Sequence, residues 1–213
     1  MTAVLASVVR QVRVVRLGLA EYAPTLDAMR AFTARRGADT PDELWLLQHP
    51  PVYTLGLGAD PAHGPKADTG IPVVRVERGG QVTYHGPGQV VLYTLIDIAR
   101  RAIRVREFVS LLEQSVIDML AEHGVRAARS PGAPGVYVRG AKVAALGIRV
   151  SRGRAFHGLA LNVDLDLGPF AAIDPCGYPG LAVTRLHDLG IDRSCEQAGN
   201  RLAEILLARL EHA

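Results

Sequence analysis

The sequence predicts an α/β fold of the α+β kind, a single domain in which a mixed, largely antiparallel sheet is flanked by helices. Three observations carry that prediction. Short β-branched runs alternate with two stretches of helical periodicity in the first 124 residues, the pattern that covers a sheet with helices. Three further apolar runs then follow one another with only R-G and S-R-G between them, which reads as an antiparallel meander. No repeat, linker or change of composition divides the 213 residues, a length that buries one sizeable core.

In chain order, residues 12–18 read as a strand and residues 21–36 as a helix, with Pro24 in its first turn and Gly37 just past its end. Residues 44–48 and 52–56 are short apolar strands split by His49-Pro50-Pro51, and residues 57–70, rich in Gly, Pro, Asp and Ala, form a loop. Strands over 73–77 and 90–98 bracket a glycine-rich segment. Phe108, Val109, Leu111, Leu112, Val116, Met119 and Leu120 share one broad helical face that ends at Gly124. The meander occupies 136–139, 141–150 and 154–163. Ser194 and Gln197 have capping-box spacing and open a last helix with Leu202, Ile205, Leu206 and Leu210 inward.

Composition excludes several classes. With 48% hydrophobic and 21% charged residues the chain is globular, not disordered. No apolar window reaches the ~18 residues of a spanning helix. Arg10, Arg13 and Arg16 interrupt the apolar N-terminal segment, so neither a membrane span nor a signal peptide is expected, and the protein is expected to be cytoplasmic. Two cysteines, at 176 and 195, give no disulfide framework, and the histidines lack metal-ligand spacing, so no metal is expected. A net charge of +3 with dispersed cations and 5% aromatic residues does not describe a nucleic-acid binder. Arg100, Arg101, Arg104 and Arg106 form the densest basic cluster, which fits a solvated helix start or a docking patch for an acidic partner.

The segment R-G-G-Q-V-T-Y-H-G-P-G-Q, from Arg78, holds four glycines and a proline yet keeps Arg, Thr, Tyr and His. Glycine lets another molecule approach backbone closely, so the segment describes a binding floor; alone, it also fits a flexible hairpin loop. Cys176 lies in I-D-P-C-G-Y-P-G, where proline and glycine forbid a continuous helix or strand, and its thiol is therefore on a turn. Cys195, at the start of an amphipathic helix, reads as filler. Only two of the 24 cations, Lys66 and Lys142, are lysine. Unlike guanidinium, an amine can give up its proton, and a lysine beside a cysteine both favours the thiolate and shuttles a proton. Lys142 sits on a strand of small residues, where it faces either solvent or a functional cleft.

These residues, in order with G-A-K-V-A-A-L-G, H-G-L-A-L-N-V-D-L, F-A-A-I-D-P-C-G and H-P-P-V-Y-T-L-G, closely resemble the lipoyl(octanoyl) transferases of the biotin and lipoate protein ligase superfamily. The resemblance runs from about residue 12 to the C-terminus. It implies that superfamily's catalytic-domain fold. It also implies transfer of an octanoyl group from acyl carrier protein to a lysine of the lipoyl domains of 2-oxoacid dehydrogenases and of glycine cleavage H protein. Cys176 would be the acyl-thioester nucleophile and Lys142 its acid and base. Arg78, Gly79, Gly80, Gln81, Val82, Thr83, Tyr84, His85, Ala145, Leu146, Gly147, Gly158, Leu159 and Ala160 would line the acyl site. Thioester exchange is nearly isoenergetic and aminolysis runs downhill, so no ATP and no cofactor are expected, and the chain lacks a P-loop. Small side chains at Ala144, Ala145, Gly147, Gly158 and Ala160 would leave room for an apolar chain. The protein is expected to work as a monomer, without nucleic acid or membrane. Two other readings stand beside this one: an ATP-dependent lipoate or biotin ligase on the same fold, and a non-catalytic module that binds acyl groups or carrier proteins.

Overall fold

The computed structural model describes residues 11–212; residues 1–10, on which part of the signal-peptide expectation rests, lie outside them. The main sheet has six strands: β1 (Val12–Leu19), β2 (Asp42–Gln48), β6 (Gln89–Asp97), β7 (Gly135–Val138), β8 (Ala141–Ser151) and β9 (Arg154–Asn162). Their order is β1-β2-β6-β9-β8-β7. Within this sheet, among the described residues, only the β1–β2 pair is parallel. The late meander is as predicted, and both of its turns place two residues at positive φ: Arg139 and Gly140 at 49° and 83°, Arg152 and Gly153 at 49° and 77°. That is the twist a two-residue hairpin demands, and a glycine at the second position meets it without strain.

Strand alternation divides the core into two faces. Leu44, Leu46, Val90, Leu92 and Ile96 point to one side, where α2 (Val105–Ala121) and α3 (Cys195–Glu211) cover them with Phe108, Leu112, Val116, Leu202 and Leu206. Trp45, Leu47, Val91, Tyr93 and Leu95 point to the other, against α1 (Tyr22–Arg35) and its Tyr22, Leu26, Met29 and Phe32. The predicted capping box forms at the start of α3: the Gln197 amide donates to Ser194 Oγ at 3.2 Å and the Ser194 amide to Gln197 Oε1 at 3.0 Å.

The sequence prediction needs two corrections. First, β3 (Val52–Leu55) and β4 (Val73–Arg75) do not join the main sheet. They form a second one with β5 (Val82–His85), a strand inside the glycine-rich segment that was read as loop. Tyr53 pairs with Tyr84 and Leu55 with Val82, because glycines on either side let four alternating residues turn into register with β3. Second, Arg100 and Arg101 are neither solvated nor a docking patch. Both pair with the fully buried carboxylate of Asp42, each at 2.8 Å, and Arg36 pairs with it too. A buried charge needs such partners, and these arginines are used to satisfy it. Arg104 and Arg106 are exposed. Among the described residues no helix is long and apolar enough to cross a membrane.

Candidate active site

The turn over Pro175–Gly177 presents Cys176, the candidate nucleophile. Cys176 has φ 57° and Gly177 has φ 76°, so two left-handed residues in succession turn the thiol out of the chain path. Gly177 cannot be replaced cheaply: an added Cβ would lie 3.0 Å from Gln81 Cγ. The Lys142 ammonium donates to Cys176 Sγ at 2.8 Å and to the Pro134 carbonyl at 3.2 Å, and it stands 5.1 Å from the centre of the Tyr137 ring.

Several devices fix that lysine, which is only 3% exposed. Its backbone pairs with Tyr137 of β7 on one side, and on the other its amide donates to Ala182 and its carbonyl accepts from Thr184. Gly135, at φ 146°, makes space for the side chain, since a Cβ there would meet the Ala144 carbonyl at 2.8 Å and Lys142 Cε at 3.0 Å. Burial disfavours the ammonium. The charge of Cys176 and hydrogen bonds to Cys176 and Tyr137 outweigh it, and the Lys142 pKa is held above the ordinary lysine value.

From Cys176 a narrow cleft runs between the two sheets. Arg78, Gly80, Gln81, Val82, Thr83, His85, Ala145, Leu146, Gly147, Gly158, Leu159 and Ala160, all named from the sequence, line it together with Cys176. Two predicted residues do not. Tyr84 follows strand parity to the opposite side of β5, packing on Tyr53 and Phe170, and Gly79 serves as support, its amide bonded to the Ile148 carbonyl at 3.0 Å. Ala144 likewise points into the α2 and α3 core. A larger groove over residues 124–140 and 178–189 lies alongside, shares no residue with the cleft and holds neither Cys176 nor Lys142.

Tyr22, Val91, Tyr93 and His157 complete the cleft without a sequence signal that marked them as lining. His157 should, by parity, face the α2 and α3 core with Ala155 and Leu159. Its φ of 61° turns it instead beside Phe156 and Tyr93, where the β6–β9 ladder skips two residues. The two imidazoles of this wall, His85 and His157, and that of His49, packed against Tyr22, His85 and Tyr93, are neutral near pH 7. Burial lowers His49 to about 4, His85 to about 3 and His157 to about 4. His49 Nδ1 donates to the Ala20 carbonyl at 2.6 Å and its Nε2 accepts from Tyr93 at 2.7 Å. His85 Nδ1 donates to Gln89 Oε1 at 2.7 Å. Arg78 is buried, bonded to Thr54 and the Gly79 carbonyl, and has no carboxylate partner among the described residues; Cys176 lies within its electrostatic reach.

The profile of the lipoyl protein ligase A/B catalytic domain matches residues 21–206. The chain belongs to that family. It is 58% identical over 195 residues to the octanoyltransferase of Azoarcus sp. (strain BH72), covering 92% of this chain and 86% of that one. It is 57% identical over 196 residues to the octanoyltransferase of Dechloromonas aromatica, covering 92% and 95%. In fold it matches a T. acidophilum lipoate protein ligase with bound lipoic acid at a TM-score of 0.76 and 16% identity, over 95% of this chain and 86% of that one. The biotin protein ligase of Aquifex aeolicus matches at a TM-score of 0.61 and 13% identity, over 93% and 70%. These structural likenesses concern the fold alone.

Proposed function

We propose that the protein moves an octanoyl group from acyl carrier protein to the ε-amine of a lysine on lipoyl domains, including those of 2-oxoacid dehydrogenases and of glycine cleavage H protein, with Cys176 as a covalent way station. One observation carries this reading: in a member of the family whose relatives are octanoyltransferases, a lysine ammonium sits 2.8 Å from a cysteine sulfur at the end of a cleft walled by small residues.

The chemistry closes on itself. The attacking form is the Cys176 thiolate, which the Lys142 ammonium beside it favours. Sγ attacks the carrier thioester carbonyl and forms a new C–S bond. The bond to the carrier breaks, and the departing thiolate takes the Lys142 proton. Lys142 is now a neutral base. The acceptor amine attacks the acyl-Cys176 carbonyl and gives its proton to Lys142 as the amide forms, and Cys176 leaves as thiolate. The buried Arg78 charge and the backbone amides of the glycine-rich walls favour the negative oxygen of each tetrahedral intermediate.

An ATP-dependent ligase shares this fold but has no use for a cysteine on a lysine. Mixing protein, octanoyl carrier protein and apo lipoyl domain with and without ATP separates the readings. Transfer without ATP is expected, and transfer that requires ATP and survives Cys176→Ser would refute the proposal.

A further inference from the structure

The chain has two lysines, and both converge on the same turn. Lys66 lies in the long loop between β3 and β4, and its Nζ donates to Asp174 Oδ1 at 2.6 Å, across 108 residues. His63, from the same loop, places Nδ1 3.1 Å from the other oxygen, Oδ2. The main chain is tied as well. The Asp174 amide donates to the His63 carbonyl at 3.1 Å, the Lys66 amide to the Ala172 carbonyl at 2.8 Å, and the Gly177 amide to the Asp174 carbonyl at 2.9 Å. Asp174 is thus held at both carboxylate oxygens and both peptide groups, two residues before the nucleophile. Its side chain is 8% exposed, and nothing in the Cys176 chemistry touches it.

The turn needs such an anchor. A left-handed non-glycine residue persists only where its surroundings over-determine it, and Cys176 is followed by a second left-handed residue. The loop is itself fixed to the glycine-rich wall of the cleft: the Gly58 amide donates to the Gly80 carbonyl at 3.2 Å and the Asp60 amide to Gln81 Oε1 at 3.1 Å. Gln81 in turn backs Gly177. Cleft wall, loop, carboxylate and nucleophile therefore form one connected frame.

We propose that Asp174, clamped by Lys66 and His63, is a positioning residue: the clamp holds the Pro175–Gly177 turn so that Cys176 Sγ stays on Lys142, and so couples the loop between β3 and β4 to the reactivity of the thiol. The inference rests on the proposed acyl chemistry for its purpose, but not for its test. A misplacement of about 1 Å at a reacting atom can cost ~10²-fold, so loss of the clamp should slow the thiol by ~10- to 10²-fold without unfolding the protein.

The test uses Lys66→Met, Lys66→Arg and Asp174→Asn in the intact chain. The rate of Cys176 alkylation by iodoacetamide at pH 7 is followed by peptide mapping, beside the melting temperature and, separately, kcat and KM for octanoyl transfer. Lys66→Met and Asp174→Asn should slow alkylation and lower kcat by the same factor, with KM for the acyl donor and the melting temperature nearly unchanged. Lys66→Arg, which keeps a cation on the carboxylate, should restore most of both. In urea all variants should alkylate alike. Undiminished alkylation in Lys66→Met and Asp174→Asn, or slowing that Lys66→Arg leaves uncorrected, overturns the clamp. If instead the parent protein alkylates fast at Cys176 but transfers no octanoyl group, the acyl-transfer reading fails and the clamp stands.

Discussion

Cys176 and Cys195 are both half-buried free thiols, yet their surroundings give them opposite characters. Cys195 opens α3, where burial, with a lesser contribution from the Asp164 charge, pushes its pKa up to about 11 and keeps it a neutral thiol at physiological pH. Cys176 sits on a left-handed turn with an ammonium at 2.8 Å. Exposure does not separate the two; the neighbouring charge and the backbone that delivers the sulfur to it do. The proposed nucleophile therefore draws on four segments: the P-C-G turn, the β8 lysine, Gly135 on β7, and the Asp174 contacts to the loop after β3.

The largest effect is expected from removing the proton and keeping the charge. Lys142→Arg leaves a permanent cation beside the sulfur but cannot exchange a proton, so turnover should fall by ~10²–10⁴-fold, close to Lys142→Ala. Steady-state kinetics of both variants decide this. Near-parental turnover in the arginine variant would reduce Lys142 to an electrostatic neighbour. The raised Lys142 pKa also fixes a sign: its ion pair stabilises the fold below the ordinary lysine value and loses that contribution as pH rises through the higher folded value. Alkaline unfolding of the parent should show that loss, and Lys142→Ala should not.

A smaller effect is expected from Gly135→Ala. The new methyl group meets the Ala144 carbonyl and the Lys142 side chain, and φ 146° strains any residue but glycine. Displacing the ammonium by about 1 Å should lower kcat by ~10- to 10²-fold, with Cys176 alkylation at pH 7 slowed alongside it. Cys195 should alkylate at its parental rate in the same sample, which makes it an internal control.

Much of this was legible in the sequence because it is local. The P-C-G turn follows from proline and glycine density, Lys142 from a lysine among small strand residues, and the meander from period-two runs joined by Arg-Gly. What was not legible depends on pairing at long range. β5 became a strand because β3 lay ready to pair with it. Tyr84 left the cleft by the parity of that strand, and His157 entered it by breaking parity. Arg100 and Arg101 looked like surface charge until Asp42 folded against them from 58 and 59 residues away. Lys66 was conspicuous only as one of two lysines; its partner lies 108 residues on.

The mildest prediction concerns the cleft wall. His49, His85 and His157 are neutral when folded, with pKa values near 4, 3 and 4, whereas unfolded histidines take protons near 6.5. The unfolded chain thus binds more protons below pH 6.5. Stability should decline as pH falls from about 6.5 toward 4, by about 1.4 kcal/mol per pH unit for each proton taken up. Urea titrations across that range measure the slope, and a flat profile would mean that these rings are charged in the folded state.

Incubating the protein with octanoyl carrier protein and mapping the adduct by peptide mass spectrometry, without acceptor, decides whether neighbours rather than exposure make one thiol the nucleophile. An octanoyl thioester on Cys176 that disappears on adding lipoyl domain is expected, with Cys195 unlabelled and no adduct in Cys176→Ser. Octanoyl on Cys195, or full turnover with Cys176 never labelled, would contradict it.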